Sequence, residues 1–351
     1  MAKKRKTLPK NFDELIKEKD LAALKAVFDV CEINANNGYS KQTALHMYDV
    51  PDELVRWLAE QGADMNARSR YGDTPLHQQA IWHCGNIALL LELGADLEAR
   101  NHTDDTPLHL AAGFSRAHQV QALLAHGADV HAENDGGRTP LGYCLIRCAN
   151  TDITDAAAVA GLLLDAGAKI TPEMTESVER IGKKFEFYRA DFNKDYLAET
   201  EAGLARLYEL FHAVPAAKRQ MHDDVSLIAV PDGDWDEQHD ALWQQLVPGR
   251  GTAKTVQGEV IRISGRLARE IMDNGSANWC ADFRKMLDAL VKRFGTGTPL
   301  AADELEEAAG LAKLLRDGNG DDEPERLMEL AVRWVQANPV PVPMDKPEYD
   351  R

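Results

Sequence analysis

The sequence of 351 residues lacks any apolar run of the roughly 18 residues that a membrane-spanning helix needs. Its first residues are basic, but no apolar segment follows them, so a secretory signal is not predicted. Only five cysteines occur, an odd and scattered number that does not suit a disulfide framework. We therefore expect a cytoplasmic protein with reduced thiols and no contact with a membrane.

Basic residues are also in deficit, with 40 Lys and Arg against 57 Asp and Glu, for a net charge of −17. Binding to nucleic acid depends on Lys and Arg that displace counterions from phosphates, so we expect no nucleic-acid partner. The negative charge would suit a basic protein partner, and it would equally serve solubility. A hydrophobic content of 44% and a charged content of 28% are typical of a soluble globular chain, and the length predicts about two domains.

A period of 31 to 33 residues governs the first half of the sequence. Thr-Ala-Leu-His begins at Thr43, Thr-Pro-Leu-His begins at Thr74 and Thr106, and Thr-Pro-Leu-Gly begins at Thr139. Threonine is a good helix N-cap, and proline fits the first helical position because it has no N–H to leave unpaired. Each copy of the motif therefore predicts the start of a helix.

A second marker, Gly-Ala-Asp, follows the same period at Gly62, Gly94 and Gly127. Apolar residues precede it, as in Asn86–Leu93, and predict a second helix that ends where glycine adopts a positive φ. One such helix pair cannot bury its apolar face alone, so the pairs must stack on one another.

This pattern resembles the ankyrin repeat, whose signature is Thr-Pro-Leu-His at a spacing of about 33 residues. The resemblance covers about residues 9–170, nearly half of the chain, and implies an all-α fold, an ankyrin-repeat solenoid of about five helix pairs followed by a helical C-terminal domain. It also implies binding of a protein partner on the concave face. The chain further resembles a set of bacterial ankyrin-repeat proteins whose all-helical C-terminal region has no established activity, on the stretches Thr171–Leu210 and Trp243–Trp279.

The markers and composition predict six segments. They are a basic flexible leader (1–10), the ankyrin-repeat domain (11–170), a helical capping pair (171–213), a linker (214–235), a helical C-terminal domain (236–338) and a Pro-rich tail (339–351).

Arginine and aromatic residues, the types that dominate binding hot spots, are expected on the first helices and turns of the repeats. Trp82 and Phe114 could instead pack between repeats. The candidate partner-binding residues are Arg68, Arg70, Tyr71, Trp82, His83, Arg100, His102, Phe114, Arg116, Tyr143 and Arg147.

A second polar cluster lies on and after the predicted helix Thr255–Asp273. It is either a solvated helix face with a buried tryptophan or a second binding site, to which the nearby glycines would allow close approach. The loop before this helix, Pro248–Thr255, lacks the glycine that a phosphate-binding loop needs before its lysine, which leaves only anion capture at the helix N-terminus open. The cluster consists of Gln257, Glu259, Arg262, Arg266, Asn278 and Trp279.

No catalytic motif, cofactor or metal site is predicted. The three motif histidines belong to different repeats and are expected to form hydrogen bonds that support the structure. Cys144 and Cys148 lack two further zinc ligands and are expected to be buried.

We thus expect a non-enzymatic protein that holds a partner on the ankyrin concave face, for example an immunity protein or antitoxin that inhibits a toxin. The alternative is an enzyme or small-ligand domain in the helical C-terminal region, targeted by the repeats and using Glu259, Arg262 and Arg266. A scaffold that joins two partners, one for each half, is a third hypothesis.

Overall fold

The computed structural model describes residues 3–349, which divide into two compact units. The first unit comprises the described residues up to Lys184 together with Asn193–Ala216. The second comprises Phe185–Phe192 together with the described residues from Ala217 onward. The first two and last two residues of the predicted leader and tail lie outside the described residues.

The first unit is built from short helices and one small sheet. In chain order its elements are β1 (Arg5–Thr7), α1 (Phe12–Glu18), α2 (Leu21–Val30), β2 (Cys31–Asn36), a short 3-10 helix (Ala44–His46), α3 (Asp52–Glu60), α4 (Pro75–Ile81), α5 (Ile87–Glu92), α6 (Pro107–Gly113), α7 (Ala117–Ala125), α8 (Pro140–Arg147), α9 (Ile153–Asp165), α10 (Pro172–Tyr188), whose last residues belong to the second unit, and α11 (Lys194–Phe211).

Helix starts and ends follow the repeat markers. Thr74, Thr106 and Thr139 each precede a helix that has proline in its first turn. After the second helices, Gly94 and Gly127 have φ angles of +94° and +86°, values that are strained for other residues. The capping chemistry of the motif therefore sets the repeat boundaries, as the sequence predicts.

Stacking of the helix pairs confirms the predicted solenoid. Helices α4, α6 and α8 pack side by side in one layer, and α5, α7 and α9 pack in a second layer. Helix α11 closes the end of the stack against α9, where Gly203 lies so near the backbone of Thr154 that an added Cβ would be 2.8 Å from its Cα.

The prediction of a flexible leader is wrong for the residues that the structure describes. Strand β1 pairs with β2 in parallel, Leu8 is buried, and its N–H donates to the Asn36 carbonyl over 2.9 Å. Lys4 Nζ also donates to the Phe28 carbonyl over 2.6 Å. The leader is ordered because β2 offers backbone groups that the repeat helices do not use.

The second unit is a helical assembly around one central helix. Its helices are α12 (Trp235–Leu246), α13 (Val256–Ala268), which continues as a π-helical turn (Arg269–Asp273), α14 (Ala281–Phe294), α15 (Ala302–Leu315) and α16 (Glu323–Ala337).

Helix α13 is central because α12, α14 and α16 all pack on it. Gly258 and Gly265 allow this packing, since an added Cβ would be 2.9 Å from the Leu246 carbonyl oxygen and 2.6 Å from the Trp243 ring, respectively. These glycines therefore serve helix packing, and not the approach of a ligand.

The segment predicted as a linker, 214–235, is mostly exposed, but from Ala217 onward it belongs to the second unit and is tied to it at several points. Ile228 is buried, and its N–H donates to the Pro339 carbonyl over 2.8 Å. Arg219 donates to the carbonyls of Gln244 over 2.7 Å and Trp243 over 3.0 Å, and its guanidinium lies 4.1 Å from the centre of the Phe187 ring. Composition alone predicts a loop here, but one buried side chain and one arginine fix it in place.

The Pro-rich tail is extended and docked. Val256 N donates to the Val342 carbonyl and Met344 N donates to the Lys254 carbonyl, both over 2.8 Å. Near the end of the described residues, the Tyr349 hydroxyl donates to Glu259 Oε1 over 2.7 Å.

Candidate functional site

The three motif histidines tie each repeat to the next. In His46, His77 and His109 the ring Nδ1 accepts the N–H of the threonine three residues earlier, over 3.1, 3.1 and 3.2 Å. The opposite ring nitrogen, Nε2, therefore carries the proton and donates to a carbonyl of the following repeat, over 3.1, 2.9 and 2.9 Å. Burial lowers the pKa of all three imidazoles, which keeps them neutral. Among the described residues, no group of three or more His, Cys, Asp or Glu is placed to hold a metal ion.

The turns between repeats, which we call fingers, are linked to one another in a row. They comprise residues 37–42, 69–73, 101–105 and 134–138. Arg70 N donates to the Ser40 carbonyl over 2.8 Å, and His102 N donates to the Tyr71 carbonyl over 3.1 Å. The next finger continues the row through Asp135. Because each finger is bonded to its neighbour, side chains at the tips are held at fixed spacing.

Four of the predicted arginines brace this framework. The guanidinium of Arg68 donates to the Gly72 carbonyl over 3.2 Å, and that of Arg100 donates to the Asp104 carbonyl over 3.0 Å. Arg116 Nε donates to the Ile81 carbonyl over 2.7 Å, and Arg147 Nε donates to the Gly113 carbonyl over 3.3 Å. These side chains are thus already ordered, which reduces the entropy that binding would cost.

The fifth arginine and several aromatic rings form the exposed part of the surface. Arg70 lies 4.7 Å from the centre of the Tyr39 ring, and Tyr71 is 60% exposed beside it. Arg147 likewise lies 4.7 Å from the centre of the Phe114 ring and 5.4 Å from that of Tyr143. Cation–π contacts of this kind hold large side chains upright on a surface.

Trp82 is partly buried and meets Tyr48 edge to face, with ring centres 5.2 Å apart. Its indole Nε1 is buried without a hydrogen-bond partner in the described residues. His83 and His102 are exposed. The structure therefore places the eleven predicted residues on or directly before the fingers, on helix α8 and on the turns that follow α4 and α6. We call this set, with Tyr39 and Tyr48, the recognition surface.

Tyr39 and Tyr48 were missed by the sequence analysis, although they are 77% and 55% exposed. Their repeat is the degenerate one, with Ala44 in place of proline, and its first helix shortens to three residues. The repeat period nevertheless carried the signal, since Tyr39 precedes Thr43 at the same distance as Arg70 precedes Thr74.

The second predicted cluster is not a solvated helix face, because Gln257, Glu259 and Arg262 are all buried. Arg262 Nε and Nη2 donate to the two oxygens of Glu259 over 2.8 and 2.7 Å, and Ala253 N donates to the same carboxylate over 3.0 Å. Gln257 binds the tail, donating to the Val340 carbonyl over 2.7 Å. Partners on the tail and the preceding loop satisfy these polar groups, except for Arg262 Nη1, which is buried without a hydrogen-bond partner among the described residues.

The other residues of the second cluster lie in two different environments. Trp279 stacks on Phe283 with ring centres 5.2 Å apart, and its indole donates to the Arg316 carbonyl over 3.1 Å. Arg262, Arg266 and Asn278 instead line one pocket of about 310 Å³.

Anion capture at the N-terminus of α13 is not supported. The amide of Val256 donates to Val342, and the amide of Gly258 donates to its own N-cap, Thr255 Oγ1. The tail and the cap thus take up donors that an anion would need.

A comparison with protein-family models identifies the repeats of the first unit. A model described as ankyrin repeats (3 copies) matches residues 80–173, the stretch that contains α5 to α9. The chain carries ankyrin repeats. Ankyrin repeats indicate a module for protein–protein interaction.

A search of curated proteins found no match for the chain. Within residues 3–349, no helix combines the length and apolar character that crossing a bilayer requires.

Proposed function

We propose that the ankyrin repeats hold a protein partner on the recognition surface and that the chain does so without catalysing a reaction. The observation that carries this proposal is the row of bonded fingers with Tyr39, Arg70 and Tyr71 at their tips. Exposed aromatic side chains and arginine in a fixed arrangement are the usual anchors of protein interfaces.

The buried motif histidines and two arginines of this surface are engaged within the framework of the repeats. Both ring nitrogens of His46, His77 and His109 are occupied by hydrogen bonds within the repeats. The guanidiniums of Arg68 and Arg100 are bonded to backbone carbonyls. These groups build the surface, and none of them offers a free acid or base.

In its finer form, the proposal is that this is a cytoplasmic, bacterial immunity or antitoxin protein that inhibits a toxin. The net charge of −17 supports a partner with a basic surface, because opposite charge raises the rate of encounter. Because the recognition surface is itself rich in arginine, this attraction would act through the acidic residues of the chain as a whole.

The first experiment is capture of partners by the tagged chain in extracts of its host, identified by mass spectrometry. Arg70→Glu and Tyr71→Ala should each lower recovery of the same partner at least tenfold, since both side chains are exposed and neither supports the core. Matched controls on the closing helix α11 are Arg206→Glu and Tyr196→Ala, which change exposed residues of the same types.

Equal recovery with all four variants would contradict the proposed surface. Toxin inhibition is tested separately, by adding the chain to the purified partner and measuring the partner's activity. If the partner's activity is unchanged at a saturating concentration of the chain, the immunity role is contradicted. The proposed binding surface would not be affected by that result.

A further inference from the structure

The pocket of the second unit lies away from the recognition surface in the sequence and needs its own explanation. The loop Pro248–Gly251 forms one wall, and Trp243 and Tyr188 contribute to another. Its volume of about 310 Å³ is at the lower end of the range for small-molecule sites.

Arginine dominates the charged residues of this pocket. Arg250, Arg262, Arg266 and Arg269 line it, against one carboxylate, Glu270. Glu270 is itself engaged, since Asn278 N donates to its Oε1 over 2.6 Å. When Glu259, which is bonded to Arg262, is counted as well, four guanidiniums stand against two carboxylates, so the site is positive in a chain with a net charge of −17.

Arg262 supplies the decisive observation. The residue is 1% exposed, and the edge of the guanidinium formed by Nε and Nη2 is bound to Glu259. The remaining nitrogen, Nη1, is buried and has no hydrogen-bond partner among the described residues. Buried donors are almost always paired, so a charged donor left open beside a cavity indicates a missing acceptor.

The surroundings fix the other basic groups near this donor. Arg269 lies 5.3 Å from the centre of the Trp243 ring, and Trp243 is stacked on Phe187 with ring centres 6.2 Å apart. Trp243 is therefore already in contact with Arg269 and Phe187, which leaves charge and hydrogen bonds as the main features that the pocket offers a ligand. Gly251, which also lines the pocket, has a φ of +76°, and a Cβ added there would meet no atom within 4 Å.

We propose that this pocket binds a small organic anion, with a phosphate or carboxylate group accepting a hydrogen bond from Arg262 Nη1. Arg269 and Arg250 add charge at the mouth, and guanidinium groups suit both kinds of oxyanion. The proposal does not depend on partner binding by the repeats, because every residue that carries it belongs to the second unit.

The test is isothermal titration calorimetry of the full chain with inorganic phosphate and, in a separate arm, with succinate. The reference titration is sodium chloride at matched ionic strength. Saturable binding of phosphate alone assigns a phosphorylated ligand, and saturable binding of succinate alone assigns a carboxylate ligand. Arg250→Glu and Arg269→Glu should each weaken the binding at least tenfold, since both side chains are exposed and can be changed without opening the core.

The matched control is Lys313→Glu on α15, which makes the same charge change at an exposed position outside the pocket and should alter the affinity less than twofold. Arg262→Lys keeps a cation beside Glu259 but removes the guanidinium group, and with it the Nη1 donor. It should therefore abolish binding in a chain that still melts cooperatively. Absence of saturable binding in both arms would overturn the proposal. So would equal weakening by Lys313→Glu, which would indicate only general screening of surface charge.

Discussion

Replacement of Arg262 by methionine tests the buried ion pair that this residue forms with Glu259. The Glu259 carboxylate, 0% exposed, would keep only two donors, Ala253 N and the Tyr349 hydroxyl. A buried charge that loses its partner typically costs about 3–5 kcal/mol, so we expect the free energy of unfolding to fall by about that amount.

The control variant that isolates the effect of burial on the strength of the ion pair is Arg206→Met. Arg206 and Glu209 form a pair with the same spacing of three residues and the same 2.7 Å distance as Arg262 and Glu259, but both side chains are more than half exposed. Exposed pairs contribute about 0.2–1 kcal/mol, so this variant should be nearly neutral. The double variant Glu259→Gln/Arg262→Met removes both charges and should recover part of the loss.

Urea denaturation followed by tryptophan fluorescence measures all of these variants. Four of the six tryptophans, at positions 235, 243, 279 and 334, lie in the second unit and report its unfolding. Equal losses for Arg262→Met and Arg206→Met would refute the reasoning, because burial would then make no difference. A double variant less stable than Arg262→Met would refute it as well.

Three further predictions concern hydrogen bonds and pH. His77→Ala should lower the free energy of unfolding of the repeats by about 1–3 kcal/mol, because it leaves the buried Asp105 carbonyl without its donor; chemical denaturation checks this. Burial lowers the pKa of His239 to about 4, so below its unfolded pKa of about 6.5 the unfolded chain binds a proton that the folded chain does not, and stability should fall by about 2 kcal/mol between pH 7 and pH 5. His239→Gln should remove that part of the slope in denaturation curves at the two pH values. Tyr349→Phe removes a hydrogen bond to the Glu259 carboxylate and should cost about 1.5–3 kcal/mol by the same measurement.

Each of these has a clear contrary result. A His77→Ala chain as stable as the parent would show that the inter-repeat bonds are dispensable. An unchanged pH slope in His239→Gln would mean that another group titrates. Full stability of Tyr349→Phe would show that the docked tail contributes nothing to the buried pair.

The repeats could be predicted from the sequence because their signals are local. Thr74 and Pro75 begin a helix through capping within one turn, and Gly94 ends the next helix through its own backbone conformation. Because these capping features recur at a regular interval along the chain, the repeat period is enough to predict the stacked helix pairs.

The environment of α13 could not be predicted, since it depends on contacts distant in sequence. Glu259 and Arg262 have the spacing of an ordinary surface pair, and only Tyr349, 90 residues later, completes their burial. The leader was misjudged for the same reason, because strand β1 is ordered by pairing with β2. The partner-binding role of the residues in the recognition surface stays a prediction, and its two added tyrosines lie in the repeat that has Ala44 in place of proline.

Hydrogen–deuterium exchange of the chain, alone and bound to its captured partner, tests partner recognition most directly. If the recognition surface holds the partner, exchange should slow in the fingers around residues 69–73 and 101–105 and in α4 and α6. Protection confined to α5, α7 and α9, or to the second unit, would contradict that account.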